Sequence, residues 1–136
     1  MATRLGGFSG TDFWCTKFDF TGLWILWRAI ARDIVPSLVE PGCRMYGYYI
    51  DEDQAEDLAG RLAIAIDDGS AFRLHAGRET ARPGVAVLTR EQRTLLRALD
   101  NEFGANGADS ELPREKELFT RFREFVAASR GFDIDF

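Results

Sequence analysis

The chain has 136 residues, 46% of them apolar and 29% charged, and 22 Asp and Glu against 17 Lys and Arg leave a net charge of −5. That length and apolar content suit one domain over residues 1–136 and exclude a largely disordered chain, while the acidic balance argues against direct nucleic-acid binding, which needs surplus cations against phosphate. No apolar run approaches the ~20 residues that span a bilayer, and the opening Met1-Ala2-Thr3-Arg4-Leu5-Gly6-Gly7 lacks an apolar signal segment, so a soluble cytoplasmic protein with no membrane partner is expected.

The first twenty residues hold Gly6, Gly7 and Gly10, then Phe13-Trp14-Cys15 and Phe18-Asp19-Phe20. This reads as irregular structure pinned to a core by aromatic anchors. Thr21 is placed to cap a helix that buries Leu23, Trp24, Trp27, Ile30, Ala31 and Ile34 and that Pro36 ends or kinks. Trp24 and Trp27 fall about one turn apart on its buried side. After Pro41-Gly42, the run Arg44-Met45-Tyr46-Gly47-Tyr48-Tyr49-Ile50 is short and rich in β-favouring residues, which predicts a strand.

The next segment carries the clearest pattern. Ala55, Leu58, Ala59, Leu62, Ala63 and Ile66 fall on one face at 3.6 residues per turn, so the spacing predicts an amphipathic helix from Asp51 as N-cap to a stop at Gly69. Asp51, Glu52, Asp53, Glu56 and Asp57 crowd its first turns, where unpaired N–H groups favour carboxylates. Glu52, Asp53, Glu56 and Asp57 are the candidate partner-binding residues, suited to a protein with a basic surface. Residues 51–70 carry seven acidic groups against Arg61 alone, whereas residues 71–90 carry Arg73, Arg78, Arg82 and Arg90 against Glu79 alone. Charge is therefore segregated along the chain, and either patch could meet a partner.

Phe72 and Leu74 suit a short extended piece, followed by a polar loop from Gly77 to Gly84. Thr89-Arg90-Glu91-Gln92 matches a capping box, and Leu95, Leu96, Leu99 and Phe103 continue a helix that Gly104 terminates. Residues 104–110 form a connector too short to separate domains. Pro113 suits a first helical position, and Leu118, Phe119, Phe122, Phe125 and Val126 make an apolar stripe that Gly131 closes. Phe132, Ile134 and Phe136 then alternate with Asp133 and Asp135, the period of a strand that could pair with residues 44–50. The expected fold is mainly α with a small β element: about four helices around one core, with short strands near 44–50 and 132–136.

Three features in this order resemble a family of small uncharacterised bacterial and phage proteins. They are the aromatic opening from Asp12-Phe13-Trp14 to Trp27, the Gly47-x-x-Ile50 followed by a helix patterned A-x-x-L-A-x-x-L, and the stretch from Phe122 to Ile134 ending in S-x-G-F-x-I. The chain has Arg130-Gly131 where family members often show two glycines, and it lacks the paired central cysteines that some carry. The resemblance implies a shared fold and a mobile-element origin; it supplies no activity and no metal-related role.

No phosphate-loop, dinucleotide, zincin, nucleophile-elbow or C-x-x-C motif occurs. Cys15, Cys43 and the single His75 cannot complete a four-ligand zinc site, and the carboxylates at 51–57 lack the ordered loop of an EF-hand. No cofactor and no metal are expected. The leading reading is a small acidic non-enzymatic protein-binding protein, of the kind an immunity protein or a phage or mobile-element inhibitor of a defence or toxin complex would be. The alternative is a small-ligand-binding protein or enzyme whose pocket is lined by Trp14, Trp24, Trp27, Tyr46, Tyr48 and Tyr49, with His75 or Cys15 as the reactive group; a purely structural oligomer subunit is a third.

Overall fold

Alternating side chains and a tight turn make residues 2–16 a hairpin rather than an irregular arm. In the computed structural model, which describes residues 2–71, 88–102 and 112–135, β1 (Ala2–Gly7) and β2 (Asp12–Thr16) run antiparallel with Leu5 opposite Phe13. The Gly7 N–H donates to Thr11 O at 2.6 Å, and Gly10 takes a φ of +95° in the turn between them, a left-handed position that a three-residue hairpin loop needs. Gly6 has a steric role: a Cβ there would collide with Asp133 Oδ1.

The remaining elements are α1 (Lys17–Ile30), β3 (Ser37–Leu38), β4 (Tyr48–Ile50), α2 (Glu52–Asp67), α3 (Arg90–Glu102), α4 (Leu112–Ser129) and β5 (Phe132–Asp135). Thr16 rather than Thr21 caps α1, accepting from Asp19 N at 3.0 Å. Thr21 lies inside the helix, its hydroxyl donating to Lys17 O at 2.9 Å. The helix ends at Ile30, well short of Pro36, with the Ala31 N–H donating to Trp27 O.

The five strands form one antiparallel sheet in the order β2-β1-β5-β4-β3. The expectation of a mainly α chain with a small β element is therefore corrected: the fold is α+β, with four long helices and a five-strand sheet among the described residues. The tail strand does pair with Tyr48–Ile50, Ile50 lying opposite Phe132. It also pairs with β1 on its other side, Leu5 opposite Ile134; that hairpin and the short edge strand β3 are the parts of the sheet not anticipated.

Because neighbours across a ladder share a face, Leu5, Phe13, Ile50, Phe132 and Ile134 form one buried surface. The helical stripes supply the other half of the core. Leu58, Leu62, Phe119, Phe122 and Phe125 are buried in a single cluster with those strand residues, and Ile66 packs half-buried at its margin. Phe13 meets Phe122 edge-on at 5.9 Å and Phe125 at 5.6 Å, which ties the hairpin to α4. Arg4, Asp12, Trp14, Tyr49, Asp133 and Asp135 occupy the opposite face of the sheet. There Asp133 is buried and accepts from Tyr46 N at 3.0 Å. Among the described residues no helix is long and apolar enough to cross a membrane.

Candidate interaction surface

Asp51 begins α2 with a complete capping box: its carboxylate accepts from Gln54 N at 2.8 Å, and Gln54 Oε1 accepts from Asp51 N at 3.0 Å. Two backbone N–H groups that would otherwise lack partners are thereby satisfied. Ala55, Leu58, Ala59, Leu62 and Ala65 turn inward, and Gln54 Nε2 reaches Val35 O at 3.4 Å. Arg61 locks the helix laterally. It donates to both Asp57 oxygens at 3.0 Å and to both oxygens of Asp33, in the turn after α1. Those hydrogen bonds from Arg61 hold the Asp33 carboxyl below its ordinary value and, together with the Asp57 contacts, raise the Arg61 guanidinium's affinity for its proton.

The four sequence-derived candidates therefore divide. Asp57 is engaged by Arg61, whereas Glu52, Asp53 and Glu56 are exposed and take part in none of the ion pairs among the described residues. Glu52 and Glu56 also border a groove of about 340 Å³ between α2 and α4, with Ala55, Ala59, Val126, Ala127 and Arg130 as its other walls. Farther along the helix, Gly60 and Ile64 extend the stripe begun by Asp53 and Asp57 at successive turns.

Ile64 is 68% exposed, and a Cβ on Gly60 would meet nothing within 4 Å. Neither was singled out from sequence. A glycine inside an exposed helix costs about 1 kcal/mol relative to alanine, and among the described residues nothing around Gly60 calls for it. Its position beside an Ile on an otherwise acidic stripe was the available signal.

The aromatic pocket does not assemble. Trp24 and Trp27 are sealed in the core, their rings 5.3 Å apart. Their indole N–H groups donate to Asp100 Oδ1 at 3.0 Å and to Ile34 O at 2.9 Å. Trp14 stands 56% exposed on the edge strand β2, and Tyr46 is exposed in the loop before β4. Cys15 is half-buried, and that burial, with a lesser push from the charge of Asp19, raises its thiol to about 12 against the opposing pull of Arg121. Such a thiol stays protonated and is a poor nucleophile at neutral pH. Cys43 is free and exposed.

No group of three or more His, Cys, Asp or Glu is arranged to hold a metal ion among the described residues. His75, the arginines at 73, 78 and 82, and the helix stop assigned to Gly104 lie outside them. Comparison of the chain with known protein families, curated proteins and solved structures finds no match.

Proposed function

We propose that this chain is a non-enzymatic protein-binding protein that docks on a basic surface of its partner through the outward face of α2. An immunity protein or a mobile-element inhibitor of a defence or toxin complex acts in this way. One observation carries the reading: Glu52, Asp53 and Glu56 stand exposed, without ion pairs among the described residues, on a helix whose cap, buried face and Arg61 clamp do not depend on them. Carboxylates that the fold does not employ remain available for steering a cationic partner. Ile64, about two to three turns farther along the same helix, adds an exposed apolar residue, and Gly60 between them lets another backbone come close. The raised thiol of Cys15 and the enclosure of both core tryptophans support the non-enzymatic side of the reading. Free Cys15 and Cys43 accord with a cytoplasmic setting.

The test begins with capture of the partner from native host cells. Glu52, Asp53 and Glu56 are then replaced together by Lys, with Asp57 left in place so that the Arg61 clamp survives. The circular dichroism spectrum should be unchanged, while association at low salt slows by roughly tenfold or more, with a smaller difference at moderate salt. Equal affinity of variant and wild type at both salt concentrations would assign these three carboxylates to solubility and the helix dipole alone.

A further inference from the structure

The two edges of the sheet are built differently. The β3 edge is two residues long and follows directly on Pro36, a short and interrupted strand of the kind that discourages pairing. The β2 edge has five residues, Asp12-Phe13-Trp14-Cys15-Thr16, with no proline, no lysine and an unbroken register against β1. Its backbone orientation follows from the hairpin closure. Gly7 donates to Thr11 O, so Thr11, Phe13 and Cys15 direct their main-chain groups toward β1, and by alternation Asp12, Trp14 and Thr16 direct theirs away from the sheet. The Thr16 carbonyl belongs to the first turn of α1. The Trp14 N–H and C=O, the Asp12 C=O and the Thr16 N–H enter no hydrogen bond among the described residues.

The side chains along this edge are also unusual for a solvent-facing rim. Of the exposed large apolar residues, Trp14 lies on the strand, Phe18 just beyond its end and Phe8 in the turn before it. We infer that β2 is a self-association edge, pairing antiparallel with β2 of a second copy of this chain about a two-fold axis at Trp14. The strand is self-complementary in that register. Trp14 faces its own counterpart, Phe13 faces Cys15, and Asp12 faces Thr16, so no two like charges oppose each other. Asp12 is already neutralised by Arg4 at 3.0 Å and Lys17 by Glu102 at 2.6 Å. Each Trp14 N–H would donate to the other copy's Trp14 C=O, flanked by Thr16 N–H to Asp12 C=O, which joins two five-strand sheets into one continuous sheet. The same axis brings the two exposed Trp14 side chains together on one face of the joined sheet, so each covers the other. A two-fold contact of this kind closes on itself and does not propagate into a fibre.

Sedimentation of the full chain from micromolar to near-millimolar concentration should move the mass from 15.3 kDa toward twice that value. Trp14→Lys, a change at an exposed side chain, should keep the circular dichroism spectrum and remain monomeric. On the wild-type chain, amide exchange at Trp14 and Thr16 should slow as concentration rises, a readout that requires no variant. A chain that stays monomeric throughout overturns the inference and leaves the edge to an extended segment of a different protein. A dimer that persists in Trp14→Lys, or that forms without slowing exchange at those two amides, overturns it as well.

Discussion

Arg61 holds Asp33 through both terminal nitrogens of its guanidinium, Nη2 to Oδ2 at 2.8 Å, and so fastens the middle of α2 to the turn that follows α1. The pair is partly exposed, and surface pairs of this kind are worth no more than about 1 kcal/mol. Its pH dependence has a definite sign. Arg61 lowers the Asp33 carboxyl from its ordinary 3.8, so the contribution is complete above that value and disappears as pH falls below it through the folded-state value. Urea denaturation should find Asp33→Asn less stable than wild type at neutral pH, with the gap narrowing as the pH drops below about 3.8.

Phe122 is fully enclosed and packs edge-on to Phe13 and to Phe132, joining α4 to both the hairpin and the tail strand. Phe122→Ala should destabilise the protein by about 3–5 kcal/mol, enough to lower the thermal midpoint by many degrees. A midpoint within a degree or two of wild type would mean that the stripe on α4 does not form the core.

Gly60 offers a sharper separation of fold from function. With open space around its Cβ position, Gly60→Ala should stabilise the isolated protein by up to about 1 kcal/mol. If a partner backbone approaches this point, the same variant should bind more weakly. Greater stability with unchanged affinity would remove Gly60 from the docking face while leaving the acidic residues to be judged on their own variant.

The two thiols should differ in reactivity. Brief alkylation of the folded protein at neutral pH should add one group, at Cys43, because Cys15 is half-buried and its thiol is raised to about 12. Unfolding before alkylation should add the second. Intact mass followed by peptide mapping distinguishes these states, and rapid modification of Cys15 in the native protein would contradict its placement against the core.

Helices with strong local signals could be read directly from the chain. The apolar spacing from Ala55 to Ile66, the Asp51 cap, the Thr89 to Gln92 capping box and the stripe from Leu118 to Val126 each concern residues within a few positions of one another, and the structure contains those helices with the cap hydrogen bonds in place. The tail strand was legible for the same reason, since strict alternation of Phe132 and Ile134 with aspartates is itself a local pattern. The hairpin of β1 and β2 was decided elsewhere. Two glycines weaken β1 as an isolated strand, yet β1 lies between β2 and β5, and Asp133, more than a hundred residues away in the chain, needs the space that Gly6 leaves. Burial was likewise settled in part by long-range packing. The enclosure of Trp24 and Trp27 follows the helical spacing, but Trp14, expected among the core anchors, faces outward on an edge strand, and Asp57 leaves the free acidic face because Arg61 turns back to hold it together with Asp33. Periodicity and capping chemistry act over a few residues and so are written along the sequence. Strand order, which aromatic finds a lid and which carboxylate finds a cation depend on residues that meet only after the chain has folded.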